Sequence, residues 1–360
     1  MKRFHCSCGA EIFFDNTRCL NCEQDLGFDP ATLRMFTIQD AKGGFVTEVG
    51  ESGPRFRLCE HRPENVLSCN WLIAEDDSHD ECVSCRLTRI IPHLSIPKNV
   101  KRWRILEDAK RRMIYNLLNN RLTFETREEN PEQGLVFDFL EDRRSNPLVS
   151  EEHIYTGHNS GVITINAAEA DPEYRVAVRE EMNERYRTNL GHFRHEIGHY
   201  YWMRLIQNTH WEAEFTSLFG DPYWDYDISL KNYYENGPRA DWQEYHISAY
   251  ASMHPLEDWA ETWAHYLHMN DALETAVSFN VLKLEFRRDN FRQIFAKWME
   301  LAVAMNALNR SVGKFDAYPF VIKHMVYRKL EFIRRVVTEA RESAAPAVFS
   351  ACGSSGAPIN

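Results

Sequence analysis

Two histidines and a glutamate, His195, Glu196 and His199, stand in the order H-E-x-x-H within NLGHFRHEIGHYYWMRLI, Asn189 to Ile206. On an α-helix, positions i and i+4 lie one turn apart on one face, so both imidazoles can reach a single metal ion. Glu196 follows the first histidine and projects near the same ion, where it could take a proton from a water that the ion activates. Leu190, Phe193, Ile197, Tyr201 and Leu205 form a second, apolar stripe, which predicts an internal helix with a cleft on one side and core on the other. The chemistry this spacing points to is zinc-assisted hydrolysis. The plainer alternative is a pair of histidines satisfied inside a core.

Two histidines leave a hydrolytic zinc one protein ligand short. The candidates lie downstream in YASMHPLEDWAETWAHYLHM, Tyr250 to Met269. Pro255 suits a helix start, and Glu257, Glu261, His265 and His268 then recur at helical spacing. Glu257 and Glu261 share a face. One could bind the metal while the other holds the second ring nitrogen of a histidine. Trp259, Trp263 and Leu267 make the flank apolar, as expected of a buried helix.

Eight of the nine cysteines fall before residue 86, in two sets: Cys6, Cys8, Cys19 and Cys22, then Cys59, Cys69, Cys82 and Cys85. Each set ends in a C-x-x-C knuckle, whose two-residue gap lets both thiolates face one tetrahedral ion. Four thiolates with no open position make a structural zinc site. In the second set Cys59 and Cys69 are widely spaced, so His61 or His79 could replace a thiolate, and ligands could be shared between the sets. Such small modules fold largely because metal binding supplies the free energy that a tiny core cannot. The ninth cysteine, Cys352, lies in a tail over residues 344–360 whose composition predicts disorder.

Between these regions, Ile91 to Asn99 carries two prolines and reads as a linker. A helix is expected from Val100 to Arg121, with Lys110 snorkelling beside Trp103, Leu106 and Met113 and a basic, solvated outer face. Gly134 to Leu140 reads as a strand. His153 to Thr156 and Gly161 to Asn166 alternate as a hairpin. The strand from Val162, placed as an edge, could hold an extended peptide by strand addition, with Val162 and Thr164 against the substrate; an ordinary sheet strand is the even alternative. Asp171-Pro172 looks like a helix start. Leu282 to Leu308 and Phe320 to Ala340 read as amphipathic helices with a packing role. The aromatic segment Phe219 to Tyr234 is assigned first to core packing and second to a substrate groove.

The chain has 360 residues, 44% hydrophobic and 26% charged, in keeping with an ordinary soluble protein of two or three domains. It has no apolar run long enough to span a bilayer, and its start, MKRFHCSC, lacks the apolar segment of a secretory signal. The expected compartment is the cytoplasm. The net charge of -11 argues against a nucleic-acid partner, and zinc held by four thiolates would make the cysteine region more acidic still, favouring a protein partner there.

The strings HFRHEIGHYYW and HPLEDWAETWAHYLH, behind a cysteine-rich N-terminus, resemble a family of bacterial zinc-binding metallopeptidases that carry an N-terminal zinc ribbon. The resemblance spans nearly the whole chain. It also extends to the gluzincin pattern, with the Tyr-x6-Glu-x2-Ala-Glu spacing of the lethal-factor type at Tyr250, Glu257, Ala260 and Glu261. It implies Glu257 as third ligand, Tyr250 as a phenol over the oxyanion, and Glu261 behind the ligands. The implied fold class is α+β: zinc-ribbon modules over residues 1–90, the linker 91–99, then a zincin-like, mostly helical domain with a small sheet over 100–343. The implied cofactors are one catalytic Zn²⁺ and two structural ones, and the substrate is a peptide or protein. The competing reading is a zinc-ribbon adaptor whose H-E-x-x-H site is inactive. Two departures from the pattern stand out: the first set opens with Cys-x-Cys, and Glu23 follows its knuckle where glycine is usual.

Overall fold

The computed structural model describes residues 1–50, 53–63, 66–144, 146, 148–181, 188–286 and 290–343. The expected disordered tail with Cys352 lies outside the described residues. The chain forms two compact units. One comprises residues 4–86, 114–124 and 337 onward, and the other comprises 1–3, 87–113 and 125–336.

The cysteine unit holds more regular structure than its sequence suggests. A short pair, β1 (Phe4–His5) and β2 (Glu11–Ile12), is followed by five strands: β3 (Asp25–Asp29), β4 (Arg34–Ala41), β5 (Phe45–Glu48), β6 (Phe56–Leu58) and β7 (Leu72–Ala74). These five pair in chain order as an antiparallel meander. Along β3 and β4 four consecutive side chains are buried, so the alternation that announces a half-exposed strand is missing. Phe36, Ile38, Val46, Phe56 and Leu72 form one cluster. Phe14, Phe28, Trp71 and Tyr115 form another, with ring centroids 4.9–6.2 Å apart in mostly edge-to-face contacts.

The second unit begins with β8 (Thr88–Ile90) and α1 (Pro97–Asn119), a helix that runs on into the cysteine unit. The helix takes in the last three residues expected as linker, with proline in its first turn. Lys110 does not snorkel. It is fully buried, its ammonium 2.9 Å from Glu107 Oε1, bonded to the Thr88 hydroxyl and lying over the rings of Phe137 and Phe139. The ion pair meets the desolvation that free snorkelling would have avoided. The basic face is likewise partly internal: buried Arg102 binds Asp171 and Asn99.

Next come β9 (Val136–Leu140), β10 (Gly157–Asn159) and β11 (Val162–Asn166). The sheet order is β10-β11-β9-β8, with β9 parallel to both β8 and β11 and β10 antiparallel to β11. The first arm of the hairpin is therefore residues 157–159, not His153 to Thr156. Nor is the strand bearing Val162 and Thr164 an edge. The hairpin lays β10 outside it, both its edges are paired, and strand addition to Val162 and Thr164 is ruled out for that reason. Ser160 and Gly161 carry φ of 46° and 83°, the two left-handed residues of a tight hairpin turn.

Among the described residues eight further α-helices follow: α2 (Pro172–Glu181), α3 (Asn189–Leu205), α4 (Glu212–Phe219), α5 (Tyr226–Asn236), α6 (Trp242–Tyr245), α7 (Pro255–Ser278), α8 (Phe291–Ser311) and α9 (His324–Ser343), the last passing into the cysteine unit beyond Val336. The helix expected from Leu282 starts later. Asn290 and Gln293 form a reciprocal cap that sets the N-terminus at Phe291. The fold is α+β: small antiparallel sheets in the cysteine unit, followed by a mostly helical region with a small sheet. Among the described residues no helix is long and apolar enough to cross a membrane.

A Cβ at Gly161 would lie 2.3 Å from the Gln133 carbonyl oxygen, on a backbone already in the left-handed region. Gly161→Ala should therefore cost about 2–3 kcal/mol of stability, read as a lowered denaturant midpoint.

Candidate metal centre

Thr188 caps α3 through its hydroxyl, which accepts from the Gly191 amide at 3.0 Å. His254 caps α7, with Pro255 in the first turn. The two helices approach closely at Gly198, where a Cβ would sit 3.0 Å from Ala260 Cα and 3.3 Å from Trp263. The Trp259 indole donates to the Gly198 carbonyl at 2.8 Å and locks that approach.

Three side chains converge there. His195 Nε2 lies 3.0 Å from Glu257 Oε2 and 3.3 Å from His199 Nε2, and His199 Nε2 lies 3.4 Å from Glu257 Oε1. Donor atoms about 2.0–2.1 Å from one ion at the tetrahedral angle stand about 3.3 Å apart, so these separations fit a zinc site of two imidazoles and one carboxylate. His195 Nδ1 meets Glu261 Oε1 at 2.7 Å, and the Ser248 hydroxyl donates to Glu261 Oε2 at 2.7 Å. That chain fixes the ring with Nε2 toward the centre. Of the two glutamates, Glu257 faces both imidazoles and Glu261 faces the outer nitrogen. Glu196 is buried beside them, and its Oε2 has no hydrogen-bond partner among the described residues.

The charges are interlocked. Burial alone would lower the His195 pKa, but Glu257 and Glu261 raise it well above the usual histidine range. Burial opposes the charge on Glu257 too, yet His199 and His195 hold it well below the carboxylate range. Burial keeps Glu196 above that range, in spite of both imidazoles.

Two groups at the centre escape the sequence motifs. The Tyr226 phenol, at the start of α5, donates to Glu257 Oε1 at 3.0 Å and shares a hydrogen bond with Tyr250. Asp225, whose side chain accepts from the Ile228 amide, places that first turn, and D-Y-D-I was the available cue. Tyr250 stands 6.2 Å from the His195 ring, centroid to centroid. The second group is His158 on β10, nearly parallel to the His199 ring at 6.4 Å. Burial, with His199 and Arg127 adding, pushes its pKa down to about 3. No helical spacing links it to the motif. Val162 and Thr164, one strand further in, are not among the residues that converge. His265 and His268 turn away and pack as core groups against Tyr318, Phe320 and Trp298. The aromatic segment splits between uses: Phe219 is buried, whereas Trp224 and Tyr234 are exposed.

The cysteine unit brings each set of four sulphurs together separately. Cys6–Cys22 and Cys8–Cys19 measure 3.5 and 3.8 Å, and Cys69–Cys82 and Cys69–Cys85 measure 3.8 and 3.7 Å. Thiolates about 2.3 Å from one ion stand about 3.8 Å apart. The sets are not interleaved. His61 instead meets Glu81 at 3.3 Å, and His79 meets Asp77 at 2.7 Å. Hydrogen bonds from Cys69, Cys82 and Cys85 hold the Cys59 thiol down, while burial pushes Cys82 up. Glu23 takes φ of 60°, the conformation its missing glycine would have supplied, with its amide on the Cys19 carbonyl at 2.9 Å.

Residues 99–336 match the family described as "Putative zinc-binding metallo-peptidase", and residues 3–96 match a zinc-ribbon domain. The chain belongs to that metallopeptidase family. It is 38% identical over 356 residues to an uncharacterized protein of Mycobacterium bovis and to uncharacterized proteins of two Mycobacterium tuberculosis strains, covering 96% of this chain and 98% of each relative. No solved structure matches it.

Because Glu261 orients His195 without facing the centre, Glu261→Ala should weaken zinc binding there by about 10–100-fold, measured by chelator competition, while the cysteine sites keep their metal.

Proposed function

We propose that the chain is a zinc-dependent peptidase in which His195, His199 and Glu257 hold the catalytic ion and Glu196 is the general base. The observation that carries this reading is the meeting of two imidazole nitrogens and one carboxylate at tetrahedral spacing, beside a buried Glu196 oxygen that has no hydrogen-bond partner among the described residues. Zinc bound there supplies Lewis-acid polarisation of the scissile carbonyl and an acidified water.

The chain's own groups do the rest. Glu196, held above the usual carboxylate range by burial, accepts the proton of the attacking water and returns it to the leaving amine. Glu261, braced by Ser248, keeps His195 in register. Tyr226 holds one oxygen of Glu257. The Tyr250 phenol, raised well above the tyrosine range by burial and the nearby Glu257 charge, stays protonated and serves as a donor to the developing oxyanion. An extended substrate pairs with the outer edge of β10 rather than with β11.

In the cysteine unit, Cys6, Cys8, Cys19 and Cys22 hold one structural zinc, and Cys59, Cys69, Cys82 and Cys85 hold another. Their role is to fold a surface for a protein partner; Leu20, at the tip of the first knuckle, is 93% exposed. Thiolate sites of this kind suit a reducing compartment, the cytoplasm.

Glu196→Gln should retain the parent's zinc content, one ion in the His–Glu centre and one in each cysteine set, and lose about 10²–10⁴-fold in hydrolysis of a peptide library. Elemental analysis and the digest together check it. Full hydrolysis by the variant rejects Glu196 as base. Zinc in all sites with no cleavage by the parent leaves the adaptor reading.

A further inference from the structure

His158 belongs to neither the H-E-x-x-H motif nor the downstream helix, yet the hairpin delivers it to the metal centre. The left-handed Ser160–Gly161 turn folds the Gly161 amide onto the ring, which accepts at Nε2 at 3.0 Å. A ring nitrogen that accepts from an amide carries no proton, so the proton of this imidazole sits on Nδ1. The tautomer is thus set by the backbone of the turn. The bond at Nε2 is the one hydrogen bond of this ring among the described residues, which leaves Nδ1 without a partner there, and the side chain is half-buried. The ring lies at 11° to that of His199 and edge-on to Tyr200 at 6.2 Å, so it borders the centre from the sheet side. It also sits on β10, the last strand of its sheet, whose outer edge has no strand beside it among the described residues.

We propose that His158 is a further catalytic residue, a fixed neutral donor whose Nδ1–H binds a carbonyl oxygen of a peptide laid along β10 at the scissile bond. This rests on the peptidase reading. It adds a substrate contact that the metal motif does not contain, and it recognises backbone, so it serves peptides whatever their side chains.

The competing role is a clasp for the turn, and two substitutions separate them. Glutamine places an acceptor where Nε2 was and nothing where Nδ1 was. Asparagine places an amide N–H near the Nδ1 position and leaves Gly161 unclasped. With peptides that the parent cleaves in a library digest, His158→Gln should lower kcat/KM by about 10–100-fold at unchanged zinc content and melting temperature, and His158→Asn should recover much of that loss. A His158→Gln protein as active as the parent overturns the donor role, and so does one whose defect is loss of zinc. Nitrogen-15 spectra of the imidazole give a readout without turnover. A proton on Nδ1 at neutral pH is expected, and a proton on Nε2 overturns the assignment. A parent that cleaves no peptide overturns the peptidase reading and this role together; a parent that cleaves while His158→Gln keeps its rate overturns this role alone.

Discussion

The centre depends on how closely two helices can approach. Packed helices ordinarily keep their axes 8–10 Å apart because side chains fill the gap. Here Gly198 and Ala260 meet where that gap would be, and a single added Cβ at 198 would press on Ala260 Cα at 3.0 Å. The positions that face each other across the contact are the ones whose nitrogens and oxygens converge. His195 and His199 flank Gly198 in sequence, and Glu257 and Glu261 flank Ala260. A glutamate is just long enough to reach an imidazole across so narrow a crossing, and both glutamates do. The aromatic side chains around the crossing keep it from sliding. Trp259 clasps the Gly198 carbonyl, and Trp263 stacks on Tyr201 at 5.0 Å.

Closeness creates an electrostatic problem that the rest of the site answers. Glu196, Glu257 and Glu261 share one low-dielectric space with two imidazoles, and buried charge is tolerated only when it is paired and hydrogen-bonded. Ser248 and Tyr226 each donate to a carboxylate from outside the cluster. Glu196 Oε2 has no such donor among the described residues, and burial raises this carboxyl while Glu257 and Glu261 are held down. In the cysteine unit crowding acts on sulphur in the same way: hydrogen bonds from its neighbours hold the Cys59 thiol down, while burial and the neighbouring sulphurs push Cys82 and Cys85 up. In both units a dication is the counter-charge that the donor geometry fits.

Much of this arrangement was legible from residue spacing, because it lies on long helices. The i, i+4 histidines, the Pro255 start and the i, i+4 glutamates obey a 3.6 period over several turns, and short-range rules read such segments well. What escaped reading was set by partners distant in the chain. The ribbon meander buries consecutive residues of β3 and β4, which erases the period of two. Lys110 looked amphipathic until Glu107 and Thr88 enclosed it. Whether β11 was an edge turned on a three-residue neighbour, Gly157–Asn159, too short to announce itself. His158 and Tyr226 reach the centre from that strand and from a helix with no buried residue, so neither sits in a periodic pattern that would mark it.

Those two residues show how the centre is tied to its surroundings. The helix α5 contributes nothing to the core, and glycines of left-handed φ, Gly220 and Gly237, lie on either side of it. Its first residue nevertheless holds the carboxylate of Glu257, and Tyr233 packs edge-on against Tyr250 at 5.8 Å. The hairpin on the sheet side is equally slight, three residues and a two-residue turn, yet it sets the tautomer of the imidazole beside His199. Rigid helices fix the distances between the converging nitrogens and oxygens, where a shift of a few tenths of an ångström decides whether one ion can be shared. Slighter elements then supply the flanking donors, so the groups that would meet a substrate can vary without disturbing the helix contact that assembles the ligands.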